Sequence, residues 1–419
     1  MTVEISALGR TRIAIEAAFA TDETASPSNF VDLPVVEGSV QFVPMQEHLD
    51  PQVQQQFVHA YTNSKQLLGK KSSTLALTTY LAGTGAAQDG NDTWLTATTW
   101  PLFRLLKTLM GGAYQGTAGV VATTTTGSPT TTNVPITATH GTLFALEGGA
   151  YAVVLPNGLI EAREILSFSS GAVVPKVAHS TAPAAGAQVY WPTTFHLIEG
   201  VGSNRATLQA IIEGAEAGDE YVCIGAQGTM SIDIAAGQIA KLSASLTGAS
   251  WARTSSFTLA AAAAAVGFSP ISNLTSELLV ATVGSTTRNV ISHSASTWTP
   301  GFANSPIPSP EGPASSGMIG WKRSRGRGVS GSFTAYDDTG LNWLTQDSTR
   351  ANLAVFQQVG MTTAGIVLLS APTVELTSVP KRTAAGDLYG QTVEWAGRND
   401  SAISVSTDLG RSAMRVHVW

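Results

Sequence analysis

The chain has 419 residues, of which only 12% are Asp, Glu, Lys or Arg while 43% are hydrophobic. Globular proteins typically contain about 25% charged residues, so this composition argues against a lone monomer with a fully solvated surface. It favours a β-rich protein that covers much of its surface with copies of itself. The length predicts two or three domains.

The charge is unevenly distributed along the chain. Residues 1–270 contain 12 basic and 19 acidic residues, a net charge of −7, whereas residues 271–419 contain 11 basic and 10 acidic residues, a net charge of +1. Head-to-tail self-assembly is one use for such an asymmetry, and chance is the alternative.

Cysteine content and apolar runs bear on where the chain is made. Cys223 is the single cysteine, so no disulfide can form within one chain. We expect a buried apolar residue in a protein made in a reducing cytoplasm, with a catalytic thiol as the alternative. The opening residues MTVEISALGR lack a signal-peptide pattern, and the apolar run Leu259–Val266 is too short to span a bilayer.

The first elements in chain order are predicted strands. Period-two alternation of apolar and polar residues predicts strands over 7–19, 35–43 and 72–82. The Gln-rich segment 44–71 is too long for a tight turn, and loops of that length are usually functional. A short amphipathic helix follows, because Pro101 opens a run of leucines with helical spacing that Gly111 ends.

The next stretch, 113–192, has a different character. It begins with a low-complexity loop over 122–133, and Asn157-Gly158 is a hairpin-turn signal. Inserts of this size are tolerated in exposed loops, so we interpret the stretch as a small inserted β-module. Its predicted strands are 134–139, 151–155, 161–168, 172–177 and 187–191.

The remainder of the chain repeats the order of the first part. Residues 220–251 read as three strands, and 252–272 read as a linker or short helix. A strand over 290–299, a long loop over 300–327 and a strand over 328–336 then follow. The remaining predicted elements are a helical stretch over Thr339–Asn352, β-rich segments after it and a terminal strand, MRVHVW.

Two of the predicted strands share a pattern that suggests a duplication. Thr78-Thr79-Tyr80 falls on Thr334-Ala335-Tyr336 at an offset of 256, and each strand precedes a helical stretch. The later strands align at an offset of 144, which places Thr229 on Thr373 and Trp251 on Trp395. The apolar residues expected to face the core are Leu75, Leu77 and Leu81 in the first strand and Val329, Phe333 and Ala335 in the second.

Catalytic and metal-binding motifs are not evident in the sequence. The seven histidines form no HxH, HxxxH or HExxH spacing, and there is no CxxC or GxSxG. Leu68–Ser72 resembles the tail of a phosphate loop, but Ser64 stands where its first glycine is required. Asp337-Asp338 reads as a turn and helix cap, with an acid pair as the alternative. We therefore expect no enzyme activity, no catalytic or metal-binding residues and no cofactor.

The strongest charge cluster is the basic segment WKRSRGRG. It contains Lys322, Arg323, Arg325 and Arg327 beside Trp321. Such a segment can bind nucleic acid, but four charges alone give weak, salt-sensitive binding. We expect it to face a partner instead.

These segments together resemble the tail tube (major tail) proteins of long-tailed bacteriophages. The resemblance is carried by ALGRTRIAIE with VVEGSVQF, by the long loop 44–71, by KKSSTLALTTYLAG before TWPLFRLLKTLMGG, and by the closing AGIVLLSAPTVELTSVPKRTAAGDLYGQTVEWAGR. It covers most of 1–112, 194–251 and 276–419, whereas 113–192 departs from it. The family has no short diagnostic motif.

The resemblance implies a mainly β fold. It would contain two tail-tube-like β-sandwich or curled-sheet domains, each with one short helix, plus the small inserted β-module. The implied domains are 1–112 plus 193–260, the module 113–192, and 261–419. Six such domains form a ring in the family, so a duplicated chain would form rings as a homotrimer.

The resemblance also implies the function. Stacked rings would form a hollow tube in the virion tail through which phage DNA passes into the host without specific binding, and the chain would be made in the host cytoplasm. Its partners would be further copies of itself, the tape measure protein and tail-end proteins. Fixed negative charge on the wall would repel phosphates within about 8–10 Å.

Two loops are expected to contact the neighbouring ring. The expected contact residues are Gln46, Glu47, Asp50, Gln54, Lys65, Lys70, Lys71, Trp321, Lys322, Arg323, Arg325 and Arg327.

Other functions remain open. A distal tail, tail terminator or capsid-surface protein would share the composition but would not polymerise into tubes. A glycan-binding module or an enzyme would require a ligand set, and only the Thr/Gly-rich segment 113–192 keeps that alternative open.

Overall fold

In the computed structural model the chain is mainly β with antiparallel sheets, which confirms the predicted class. The structure describes residues 11–26, 29–49, 67–83, 100–114, 122–136, 148–169, 171–198, 206–213, 220–254, 269–271, 276–301, 304–309, 317–323, 328–336, 341–362, 365–385, 388–398 and 408–419.

The elements of the first part of the chain include helix α1 (Pro101–Met110) and a 3₁₀ turn at Glu23–Ala25. Its strands are β1 (Thr11–Ile15), β2 (Val31–Leu33), β3 (Gln41–Leu49), β4 (Leu67–Tyr80), β5 (Ala82–Gly83), β6 (Gly111–Tyr114), β7 (Ala122–Thr124), β8 (Val134–Pro135), β9 (Ala150–Val154), β10 (Ile160–Ser169), β11 (Ala172–Pro175), β12 (Gln188–Tyr190), β13 (Thr193–Leu197), β14 (Leu208–Glu213), β15 (Glu220–Ala235), β16 (Lys241–Gly248) and β17 (Ser250–Thr254).

The second part contributes helices α2 (Trp343–Thr349) and α3 (Asp408–Arg411). Its strands are β18 (Ser269–Pro270), β19 (Ser276–Thr282), β20 (Asn289–Val290), β21 (His293–Gly301), β22 (Asn304–Pro308), β23 (Met318–Arg323), β24 (Gly328–Tyr336), β25 (Leu353–Thr362), β26 (Gly365–Leu376), β27 (Lys381–Ala385), β28 (Leu388–Gly397) and β29 (Arg415–Val418).

One continuous antiparallel sheet runs through both parts of the chain. Its strand order is β3-β4-β16-β15-β21-β24-β28-β27, and we call it the eight-stranded sheet. A second layer packs against it and contains β2-β1-β14 on one side and β20-β19-β25-β26-β29-β13-β6 on the other. Strand β15 belongs to both layers, because its first residues pair with β14 and its last with β16 and β21.

The alternation of residues sets which side of the eight-stranded sheet is buried. Leu75, Leu77 and Phe333 lie in the core between the layers, and each residue is at most 2% exposed. All six predicted core residues of the two strands are buried, which confirms the orientation expected from the sequence. Burial of apolar surface at about 25 cal/mol per Å² makes this arrangement the main source of stability.

Helices α1 and α2 differ in how they pack. The predicted α1 is confirmed: Pro101 opens it, and Gly111 ends it in the left-handed region with its N–H bonded to the Lys107 carbonyl. Its leucines are buried between the layers. Helix α2 is shorter than the predicted 339–352 and buries Trp343, whereas Leu344 is 59% exposed.

The strands of the two parts pair in the same order. In the first part β2-β1-β14-β15 form one run and β3-β4-β16-β15 another. In the second part β20-β19-β25-β26 and β21-β24-β28-β26 repeat them. Even the irregularity is repeated, because the register shifts between Leu208 and Ala210 in one run and between Leu353 and Val355 in the other. We call the two sets of strands repeat 1 and repeat 2; the division into domains stays a prediction.

The registers support one predicted offset and correct the other. Ala76 lies between Gln41 and Ser245, and Ser332, 256 positions later, lies between Thr297 and Glu394. The offset of 144 was wrong.

The shared register shift equates Ala226 with Val374, 148 positions apart. Trp251 pairs with Cys223 in β15, whereas Trp395 pairs with Gly331 in the eight-stranded sheet. Trp251 and Trp395 therefore do not occupy equivalent positions, and their match in the sequence was accidental.

The two expected long loops contain more strand than the sequence indicated. Strand β3 continues to Leu49 and β4 begins at Leu67, so the paired ribbon extends into both ends of 44–71. Within 300–327, β22 and β23 pair as a hairpin. Strand pairing therefore extends into a segment predicted as a loop from its length and Gln-rich composition, and into another that is rich in Pro, Gly and Ser.

The stretch predicted as an inserted module contains a six-stranded sheet, β7-β12-β9-β10-β11-β8, and we call this stretch the module. The predicted Asn157-Gly158 turn is confirmed, with Gly158 at φ +80°. Ala152, Ala162 and Val177 of the module pack against Phe356 and Leu368 of repeat 2. The module therefore covers the outer face of the second layer of repeat 2.

The β22–β23 hairpin, which belongs to repeat 2, covers the outer face of repeat 1. Met318 and Trp321 lie in a cluster with Ala14, Ile211 and Val222 of repeat 1. Each repeat thus has its outer face covered by an insertion that belongs to the other repeat.

Candidate assembly surface

The junction between the two repeats is a direct strand pairing. Ile232↔Trp298, Asp233↔Thr297, Ile234↔Ser296 and Ala235↔Ala295 are the paired positions of β15 and β21, and we call them the seam. At this seam one repeat is joined edge to edge to the other, because backbone groups of adjacent strands satisfy one another.

The seam alternates in the same way as the rest of the sheet. Ile232 and Trp298 point into the core, where Trp298 donates a hydrogen bond to Gln357 (Nε1 to Oε1, 2.8 Å) and packs edge-on against Trp395 at 4.9 Å between ring centroids. Asp233 is exposed on the opposite face and accepts a hydrogen bond from Thr297 at 3.0 Å.

The eight-stranded sheet has an open edge at each end. Among the described residues, β3 pairs with β4 alone and β27 with β28 alone. An unpaired edge strand is a template for another chain, and proteins that stay monomeric usually block it. The sequence did not single out either edge, although the offset of 256 would have aligned Gln41 with Thr297 of the seam.

The face of the eight-stranded sheet opposite the core is covered mainly by hydroxyl side chains. Its charges are few, and Lys241 is paired directly opposite Asp233 in the ladder. The Ser and Thr residues of this face are Thr74, Thr78, Thr229, Ser231, Ser243, Ser245, Thr247, Thr297, Thr299, Ser330, Ser332, Thr334 and Thr392.

Four of the sequence-predicted contact residues lie on the β3–β4 ribbon. Gln46 donates to the Gly69 carbonyl (Nε2 to O, 2.7 Å), Glu47 and Lys70 are exposed, and the Lys71 ammonium lies 5.2 Å from the ring centroid of Trp251. The hairpin lies beside this ribbon, because a Cβ at Gly317 would be 3.5 Å from Cδ of Lys70.

The basic segment is only partly described, and one of its residues is placed differently from the expectation. Trp321 is 4% exposed and donates to the Gly225 carbonyl (Nε1 to O, 2.8 Å), so it is not available for contact with another ring. Its period-two position in β23 aims it at repeat 1. Lys322 is exposed beside it, and Arg323 ends the strand.

The remaining expected contact residues lie outside the described residues: Asp50, Gln54, Lys65, Arg325 and Arg327.

Buried ion pairs join the module to repeat 2. Arg163 bonds to Glu161 at 3.0 Å and to Glu277 of β19 at 2.9 Å, and His179 lies 3.1 Å from Glu161. Burial raises the pKa of Glu161, but hydrogen bonding from His179 and the charge of Arg163 outweigh this and lower the pKa to about 2. Burial lowers the pKa of His179 to about 4. A charged run inside an apolar strand, EAREI, was the sequence signal for this cluster.

A second buried cluster lies alongside. Glu164 of the module accepts from Arg415 at 2.9 Å and lies 3.1 Å from Lys176. Because both cations flank it, the pKa of Glu164 is held well below its usual range despite full burial, which alone would raise it. Paired in this way, the charges orient the module on repeat 2.

Chemistry-bearing groups are otherwise dispersed. In the described part of the chain, no three His, Cys, Asp or Glu residues are placed to hold a metal ion. Cys223 is buried 3.3 Å from the Ser73 hydroxyl, and burial raises the pKa of its thiol to about 12. No helix among the described residues is long and apolar enough to cross a bilayer.

Two comparisons with known proteins found no relative of this chain. No protein-family model matches the sequence, and a search of curated proteins finds no match.

Proposed function

We propose that the chain is a structural virion protein that stacks in rings to form the hollow tail tube of a long-tailed bacteriophage. The observation that carries this proposal is the eight-stranded sheet. It consists of two four-stranded repeats joined edge to edge, and it leaves an open strand at each end.

A sheet of this kind can grow by adding copies. The open edge strand β3 corresponds to β21 at the seam, and the open edge strand β27 corresponds to the end of β15 at the seam. Further copies would therefore extend the sheet, and its twist allows it to close on itself, which removes every free edge. In a ring of six repeats, three chains would suffice.

The layers of the molecule suggest which face lines the lumen. The second layer, the module and the β22–β23 hairpin all lie on one side of the eight-stranded sheet. In a closed ring the outer side has more room, so the hydroxyl face would line the interior. DNA affinity comes mainly from Lys and Arg contacts to phosphates, and a hydroxyl wall with few charges provides little of that attraction.

The partners follow from the same assembly. The ends of the β3–β4 ribbon and the adjacent hairpin would contact the next ring, and the tape measure protein and tail-end proteins would meet the tube at its lumen and ends. Phage DNA would pass without specific binding, and the mature protein would reside in the virion tail after synthesis in the host cytoplasm.

Negative-stain electron microscopy of the purified chain, alone and after prolonged concentration, tests the proposal. We expect hollow tubes with a regular ring repeat and threefold rings. Isolated rings that never stack would favour a terminator or distal tail protein. Monomers at every concentration would contradict self-assembly and would favour the alternative of a glycan-binding module.

A further inference from the structure

The seam joins the end of β15 to β21. The corresponding strands of the other repeat are β27 and β3, and these form the two open edges of the eight-stranded sheet. We propose that β27 of one copy pairs antiparallel with the start of β3 of a second copy, reproducing the seam between molecules. The proposal rests on the proposed self-assembly and specifies the surface and the register by which it occurs.

The residues of β3 that take part are identified by comparing its register with that of β21. The offset of 256 equates Gln41 with Thr297 and Phe42 with Trp298. Phe42 is fully buried in the core like Trp298, and Gln41 is exposed on the opposite face. The start of β3 therefore presents the alternation that β21 presents at the seam.

The residues of β27 that take part are identified by comparing the pairing of β15 with β16 and the pairing of β27 with β28. Asp233 pairs with Lys241, and the corresponding position of repeat 2 is Thr383, which pairs with Gly390. The seam pair Asp233↔Thr297 thus corresponds to a pair between Thr383 of one copy and Gln41 of the next. The antiparallel register then places Ala384 opposite Val40.

A second observation agrees with this pairing of the two edges. Met45 lies in β3, and Val379 lies in the segment between β26 and β27, two residues before Lys381. These two are exposed large apolar side chains, with 54% and 41% of their surface accessible. Each lies beside one open edge, at opposite ends of the eight-stranded sheet. Their apposition would bury both, and cross-strand apolar pairs stabilise antiparallel strands.

The geometry can be tested by disulfide trapping of the full chain. In the variant Gln41→Cys/Thr383→Cys the two Cα atoms would be about 5 Å apart between copies, within disulfide range. In the matched control Val43→Cys/Thr383→Cys they would be diagonal neighbours about 7–8 Å apart. Native Cys223 is buried and will not compete. We expect covalent multimers to form about tenfold faster in the first variant than in the control.

A charge test addresses the same contact without cysteines. Val379→Lys should raise the protein concentration needed for assembly about tenfold, and adding Met45→Glu should restore it by placing an opposite charge on the edge that faces Val379. Ile239→Lys is the control, because Ile239 is also an exposed large apolar residue (41%) and lies between β15 and β16, away from both open edges.

The outcomes separate this inference from the proposed function. Tubes or rings without faster trapping of the 41/383 pair would overturn the register and leave the proposed function standing. Multimers trapped through 41/383 support the register even if the rings do not stack. A chain that remains monomeric, with neither trapping nor rings, would overturn both.

Discussion

The hydroxyl of Thr297 donates a hydrogen bond to the carboxylate of Asp233, with 3.0 Å between Oγ1 and Oδ1. The two residues belong to different repeats and lie opposite each other at the seam. Their contact joins the two repeats on the hydroxyl face, while Ile232 and Trp298 join them in the core. The seam is therefore satisfied on both faces of the sheet.

Replacing Thr297 by Val should lower the stability of the fold only slightly. The hydrogen bond is solvent-accessible, so we expect the free energy of unfolding to fall by about 1 kcal/mol or less. Urea denaturation measures this, with Thr299→Val as the control on the same face of β21. A loss several times larger would mean that the seam depends on this contact rather than on its ladder and core.

Replacing Gly331 by Ala should be costly. A Cβ at this position would lie 2.2 Å from Cζ2 of Trp395, and overpacking of a core typically costs about 1–3 kcal/mol. Gly328→Ala in the same strand is the matched control, since a Cβ there would be 3.8 Å from its nearest neighbour, the Gly397 carbonyl oxygen. Equal thermal stability of the two variants would contradict the packing described for the Trp298–Trp395 pair.

Replacing Arg163 by Met should release the module from repeat 2. The change leaves the carboxylates of Glu161 and Glu277 without their shared partner, and breaking a buried ion pair typically costs about 3–5 kcal/mol. Limited proteolysis within the module should accelerate. Arg398→Met is the control: its ion pair with Glu375 is exposed, and such pairs contribute about 0–1 kcal/mol.

Acid should loosen the same contact. The pKa of His179 is lowered to about 4 in the folded chain from an ordinary 6.5, so His179 stabilises the fold above pH 6.5, and this stabilisation is lost as the pH falls toward 4. Glu161, with its pKa lowered to about 2, adds a loss below pH 4.5.

We expect the free energy of unfolding to fall by on the order of 2–3 kcal/mol between pH 6.5 and 4 because of His179. A His179→Gln variant should start less stable but show a shallower dependence over that range. Identical slopes for variant and parent, measured by urea denaturation at each pH, would exclude His179 as the cause.

Removing the basic segment should impair polymerisation. Serine in place of Lys322, Arg323, Arg325 and Arg327 is expected to leave a folded protein that forms fewer or shorter tubes, because the segment is predicted to face the next ring. Electron microscopy at matched protein concentration measures tube length.

A smaller version of this test has a matched control. Lys322→Ser/Arg323→Ser should impair assembly, whereas Arg350→Ser/Arg398→Ser removes the same charge elsewhere in repeat 2. Tubes of normal length in the quadruple variant would rule out the predicted ring contact.

Local patterns predicted the strands and the core well. Leu75, Leu77 and Phe333 were assigned to the buried face because period-two alternation has a single solution when one face is covered. The helix α1 was predictable because its start at Pro101 and its end at Gly111 are both marked in the sequence.

Pairing between distant segments was not predictable in the same way. The hairpin β22–β23 was missed because Pro and Gly are also common in loops, and Trp321 was misplaced because a basic context suggested exposure. The seam and the two open edges depend on registers that only the folded chain reveals, although the 256-residue offset already contained part of that information.

The reciprocal covering of the repeats limits how the chain can be divided. If the chain were cut between β17 and β19, repeat 1 would lose Met318 and Trp321 from its outer face, and repeat 2 would lose the module that shields Phe356 and Leu368. Each fragment would then expose apolar surface and, in repeat 2, unpaired buried charge. The two repeats are thus mutually dependent, and separately expressed halves should aggregate unless they are produced together.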